Sequence, residues 1–166
     1  MIPLLVLVSG GGVGLALGAL GVKRFRDWGD SLRYALALMF LVTASAHWGS
    51  MRPDLVRMVP PVFPNPELLV TMTGIFEILG AIGLLIPRFA RFAAWALTLL
   101  LLSVFPANVH AAHAGLTIAG EPVLDVLPRA AVQLVFLAAT IASALRSGVL
   151  KPARATPRGV RHDYAA

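Results

Sequence analysis

Apolar residues in this chain fall into long, nearly unbroken blocks, with the polar positions gathered between them. The runs are Ile2–Val22, Leu32–Trp48, Leu68–Ile86, Phe92–Ala112 and Ala130–Leu145. About 20 apolar residues, rising ~1.5 Å each, cross the hydrocarbon core of a bilayer. The fifth run is short, and needs Arg129 and Arg146 to extend toward the interfaces or the helix to stand nearly upright. Only helices and closed barrels satisfy backbone polar groups in lipid. The pattern therefore predicts an all-α integral membrane protein with five spans.

The connections carry their own signals. Lys23–Ser31 is short and charged, and Asp30-Ser31 reads as the N-cap of the second helix. In the stretch MRPDLVRMVPPVFPNP, Pro53 opens one amphipathic turn (Leu55, Val56, Met58, Val59), and the later prolines stop it. Asn65-Pro66-Glu67 then caps and starts the third long helix. This connection is either a stiff linker or a lid over a cavity. Pro87–Arg91 makes a tight hairpin, and Pro106 should kink the fourth long helix by freeing the Leu102 carbonyl. Residues 147–166 read as a disordered, basic tail.

Composition agrees: 58% of residues are hydrophobic and 13% charged, against about 25% charged in soluble domains. The net charge of +6 invites a nucleic-acid reading, but its distribution argues otherwise. Lys23, Arg24, Arg26, Arg33, Arg88, Arg91, Arg146, Lys151, Arg154, Arg158 and Arg161 fall on one side of a five-span chain; Arg52, Arg57 and Arg129 fall on the other. That asymmetry predicts an N-out/C-in orientation and contact with anionic lipid, with no nucleic-acid partner. The absence of cysteine excludes thiol exchange and iron–sulfur clusters held by this chain alone. The first run lacks a basic n-region and an A-x-A site, so it reads as a retained helix.

Within this apolar frame Glu77 stands out. A charged group near the middle of a span costs ~2.5–3.5 kcal/mol or more, so a chain that keeps one pairs it, protonates it or uses it. Thr73, Gly74, Gly80 and Ala81 share its face at helical spacing, which turns Glu77 toward the bundle. Leu36, Phe40, Thr43 and His47 share a face of the second helix, Asn108 follows the predicted kink, and Arg129, Gln133, Thr140 and Ser143 form a stripe on the fifth. His47, Glu77, Asn108 and Gln133 could thus form a polar column, with Arg129 at its outer mouth and Glu77 one or two turns deeper than the rest. It would hold a ligand headgroup or relay protons; the plainer alternative is interhelical hydrogen bonding, worth about 0.6 kcal/mol per bond. On the first helix Gly10, Gly14 and Gly18 form a small-residue ridge, for packing within the chain or for a protein partner. His110 and His113 are one turn apart, yet no carboxylate is near them, and no metal site is expected.

The order Arg33-x-x-Leu-Ala, His47-Trp48, Pro53, Pro60-Pro61-Val-Phe-Pro64, Gly74-Ile-Phe-Glu77-Ile-Leu-Gly80-Ala-Ile-Gly83-Leu-Leu-Ile-Pro87-Arg88 and Val104-Phe-Pro106-Ala-Asn108 resembles the DoxX family of small bacterial membrane proteins. The resemblance covers about residues 31–146 and implies a four-helix transmembrane bundle, to which residues 1–22 add a glycine-rich helix. It also implies a multi-pass protein of the bacterial cytoplasmic (inner) membrane serving a quinone-linked or redox-stress oxidoreductase system. His47, Glu77 and Asn108 match the family's characteristic polar positions, and Gln133 matches less closely. Trp48 stands where phenylalanine is usual. On this reading Glu77 and His47 are the catalytic candidates and Thr43, Asn108, Arg129 and Gln133 the ligand-binding ones. No cofactor is intrinsic, a quinone is the implied ligand, and the implied partner is an oxidoreductase or a second copy. The rival is a non-catalytic assembly subunit docking through Gly10, Gly14 and Gly18.

Overall fold

The computed structural model describes residues 2–147. The chain forms α1 (Ile2–Ala19), a 3-10 turn (Lys23–Phe25), α2 (Trp28–Ser45), α3 (Arg52–Met58), α4 (Pro66–Leu85), α5 (Ala90–His113), a hairpin of β1 (Thr117–Ile118) and β2 (Glu121–Pro122), and α6 (Val126–Ser147). The predicted tail lies outside the described residues, Ser147 excepted.

Each long helix packs antiparallel against its neighbour. Thr43 of α2 meets Glu77 of α4, Gly80 and Gly83 of α4 face Leu97 and Ala93 of α5, and Thr98 of α5 meets Thr140 of α6. α6 returns to α2, where Arg146 lies against Gly29. The order α2–α4–α5–α6 closes a four-helix ring, and α1 lies along α2 outside it. Its core holds Leu36, Met39 and Phe40 of α2, Leu84 of α4 and Leu97 of α5, all essentially inaccessible.

Among the described residues, four helices are long and apolar enough to cross a membrane: α1, α4, α5 and α6. α2 is the most enclosed of the long helices, touching α1, α4 and α6. It begins with a polar turn and carries Asp30 and Arg33, which dilutes its apolar character. On α4, small or buried residues face inward (Val70, Gly74, Gly80, Ala81, Leu84), while Met72, Ile75, Phe76, Leu79 and Ile82 are exposed. A helix that turns small residues to its neighbours and large apolar ones outward suits a lipid surround.

Several local expectations change. The α2 cap is Asp27, whose side chain accepts from the Gly29 amide at 2.9 Å; Asp30 is already helical and pairs with Arg33 at 3.0 Å. Asn65 occupies the α4 cap in a left-handed conformation (φ 54°) without a side-chain cap bond. There Pro66 at the first helical position and the Asn65 carbonyl, which accepts from Leu68 and Leu69, begin the helix. α6 has 22 residues, about 33 Å at 1.5 Å per residue, so it is longer than its apolar run. As the apolar run implies, Pro106 lies inside one long helix, α5.

The glycine ridge of α1 faces inward. A Cβ on Gly14 would lie 2.8 Å from Ser31 Cβ, one on Gly18 would lie against the Phe25 carbonyl, and Gly10 is in contact with Ala35. Gly10 and Gly14 let α1 seat on the chain's own α2, and Gly18 seats on the 3-10 turn, so this ridge is filled from within.

Candidate functional site

α2 and α4 bring Thr43, His47 and Glu77 together. Thr43 and His47 lie four residues apart, one turn along the same face. Glu77 reaches them across the seam: Thr43 Oγ1 donates to Glu77 Oε2 at 2.7 Å, and His47 Nε2 lies 3.6 Å from Glu77 Oε1. The other ring nitrogen, Nδ1, lies 2.6 Å from the Val70 carbonyl. A carbonyl only accepts, so Nδ1 carries a hydrogen. Gly74 makes this approach possible, since a Cβ there would fall 2.7 Å from His47 Cβ and Cγ and 2.8 Å from Trp48 Cη2.

The arrangement accommodates either proton location. With Nδ1–H directed at Val70, Nε2 presents a lone pair or a second N–H to the carboxyl group. Thr43 Oγ1 also lies 3.0 Å from the Phe40 carbonyl. Its single hydrogen can therefore go to an ionised Glu77, or turn to Phe40 while the hydroxyl oxygen accepts from a protonated one. At 3.6 Å the His47–Glu77 contact is longer than a direct hydrogen bond, which leaves both atoms capacity for a ligand hydroxyl or carbonyl. The Glu77 side chain is 14% exposed and that of His47 11%, so the seam is narrow but open. Trp48, half exposed, lies over Gly74 with its ring 6.0 Å from the imidazole.

The other candidate residues are elsewhere. Gln133 is buried and donates to the Leu101 carbonyl at 2.6 Å, closing the α5–α6 seam together with Thr98 and Thr140, whose hydroxyls are 2.9 Å apart. The α4–α5 and α5–α6 contacts set Glu77 and Gln133 at about the same depth on opposite seams, so Glu77 is not the deeper residue. Asn108 is half-buried and makes no hydrogen bond within the described residues. Arg129 lies at a similar level on α6, with Nη1 buried and unpartnered among them. The polar column thus separates into two seams.

Arg52 is a contributor that sequence reading registered only as a charge. Its Nη1 donates to the His47 carbonyl at 2.8 Å, and Nη2 to Thr71 Oγ1 at 2.9 Å and the Glu67 carbonyl at 3.2 Å. It thereby ties the end of α2 to the start of α4, beside His47. The one available signal was its position five residues past His47, just before a helix-starting proline. Further out, Asp54 pairs with Arg57 and accepts from the Ala119 amide at 2.8 Å, fastening the hairpin to α3. An open depression of about 470 Å³ lined by Val56, Asn65, Pro66, Glu67 and Leu68 lies beside this assembly.

These features define an all-helical, multi-span membrane-type bundle with a carboxylate turned into a helix seam. A family described as "Domain of unknown function (DUF8561)" matches residues 36–147, more than half of the chain, and the chain belongs to that family. The match takes in Thr43, His47, Glu77, Asn108, Arg129 and Gln133; the α1 glycines fall outside it. No curated protein matches the chain. No solved structure matches it either.

Proposed function

We propose that this protein is a five-span, N-out/C-in bundle of the bacterial cytoplasmic membrane whose Thr43–His47–Glu77 seam binds the polar head of an isoprenoid quinone, or a similarly apolar ligand, and exchanges a proton with it. The observation that carries the reading is the paired geometry at Glu77: a hydroxyl able to donate or accept on one oxygen, and an imidazole of fixed tautomer facing the other. A residue serving only to join two helices needs no such adaptability. The likeness to DoxX proteins supports the redox setting.

The residues fit a quinone head on chemical grounds. His47 Nε2 and Glu77 Oε1 retain hydrogen-bonding capacity, and Trp48 offers an exposed aromatic face beside them. Glu77 and His47 hold and pass the proton, while Thr43 and Val70 orient them. A bound quinone supplies the electron-accepting chemistry, and an oxidoreductase partner supplies the electrons.

The test is gentle extraction followed by lipid mass spectrometry, with quinone titration read by Trp48 fluorescence and a Trp48→Phe control. Quinone retention that falls at least about tenfold in Glu77→Gln, with the fold intact, supports the proposal. Equal affinity in the two proteins, or no quinone retained by either, overturns it.

A second reading, an assembly subunit, draws on α1. Leu5, Val8, Gly12 and Leu15 form an exposed stripe opposite the filled ridge, and α1 lies outside the family match. It predicts that Gly12→Leu releases a co-purifying protein while Glu77→Gln retains it.

A further inference from the structure

We infer that the basic end of the bundle, remote from the Glu77 seam, binds one phosphate-bearing anion between Arg24 and Arg33 around Tyr34. Arg24 lies in the 3-10 turn and Arg33 in the second turn of α2. Both guanidinium groups approach the same ring, their central carbons 5.0 and 5.5 Å from its centroid. Arg24 Nε also donates to the Tyr34 hydroxyl, and Phe25 braces the ring edge-on at 5.3 Å. Two cations are thus held around one aromatic side chain.

Their charge is incompletely balanced. Arg33 is only 8% exposed, yet among the described residues its partner is a single carboxylate, Asp30, at 3.0 Å, and its Nε is buried with no hydrogen-bond acceptor. The neighbouring Asp27 is engaged with the Gly29 amide and lies 3.9 Å from Arg146. Arg146 itself stacks on Trp28 at 4.0 Å. Lys23 and Arg26 add further positive charge on the same connection. A buried guanidinium whose donor is unsatisfied by the described residues calls for an acceptor beyond them. Arginine favours phosphate oxygens, which match its planar fork.

The position indicates the anion. The cluster lies where α1 ends, α2 begins and α6 ends, at the termini of apolar helices. Lipid phosphates lie at that level in a bilayer, and basic clusters there attract anionic headgroups. The shared chemistry is a phosphate group; a phospholipid headgroup and free phosphate are its two sources.

The full chain is purified from detergent, exchanged into mixed phosphatidylglycerol and phosphatidylcholine nanodiscs, and analysed by native mass spectrometry after release. Selective retention of one phosphatidylglycerol, reduced about fivefold in Arg24→Gln and unchanged in the charge-matched Arg88→Gln, identifies a lipid headgroup. Inorganic phosphate binding by calorimetry, with the same dependence on Arg24 and no lipid selectivity, identifies free phosphate. Tyr34→Phe keeps the ring but removes the Arg24 hydrogen bond, and it should weaken retention without unfolding the protein. Equal loss in Arg24→Gln and Arg88→Gln, or no retention of either anion, overturns the assignment.

Discussion

The Nδ1 atom of His47 lies 2.6 Å from the carbonyl oxygen of Val70, and this contact decides which ring nitrogen faces Glu77. A backbone carbonyl of α4 thereby sets the tautomer of a side chain from the turn that follows α2, and α4 also supplies the carboxylate. The orientation depends on Gly74, where the imidazole crosses the helix without meeting a Cβ.

Glu77→Gln should preserve the contact with Thr43 and change the melting temperature in detergent little. Thr43→Val removes the bond and should cost about 0.6 kcal/mol, ~1.7 at most, as measured for interhelical hydrogen bonds in membranes. A Glu77→Gln protein that unfolds on extraction would show that the carboxylate is needed for folding rather than for proton exchange.

Gly74→Ala should destabilise by ~1–3 kcal/mol, because the added methyl overlaps His47 and Trp48. Gly12 has nothing within 4 Å of its added Cβ, so Gly12→Ala should stabilise α1 by up to about 1 kcal/mol through helix propensity. Paired thermal melts check both signs; equal effects at the two sites would contradict the packing.

Arg52→Lys keeps the charge but cannot reproduce the fork that joins His47, Glu67 and Thr71. Hydrogen exchange should accelerate in α3 and in the first turn of α4, with α5 and α6 unchanged. Uniform protection across all helices would deny Arg52 this role.

At the hairpin, the Ala119 amide and then Arg57 hold the Asp54 carboxyl below its ordinary range. A folded-state value below the unfolded one makes the stabilisation fully present above about pH 4, the unfolded carboxylate value. It is lost as pH falls through the lower folded value. Exchange of the Ala119 amide should therefore show extra acceleration below about pH 4 that Asp54→Asn abolishes. Ala119 sits at φ 53° beside Gly120 at φ 80°, so Ala119→Gly should relieve left-handed strain and leave this pH response in place.

The elements were legible because their signals are local. Apolar runs located the five long helices, Pro53 announced the short helix α3, and the small residues around Glu77 showed that it turns inward. Helical spacing also put Thr43 and His47 on one face. Pairing across helices was less accessible. Nothing in the order of residues tells that Gln133 bonds the Leu101 backbone rather than joining Glu77, since both choices fit the same stripe. For the α2 cap, Asp27 and Asp30 are equally good candidates by residue type, and only the backbone path selects Asp27.

Sequence by itself determined that the chain is an all-helical membrane-type bundle, and that its deepest carboxylate faces other helices, because hydrophobicity and helical period act over neighbouring residues. Tertiary structure alone decided which partners that carboxylate meets. It closed the ring in the order α2–α4–α5–α6, filled the α1 glycine ridge with α2, and divided the polar residues between two seams. The physical reason is that interhelical contacts depend on rotation and register, and these are settled by steric fit at sites such as Gly14, Gly74 and Gly80, whose partners are remote in the chain.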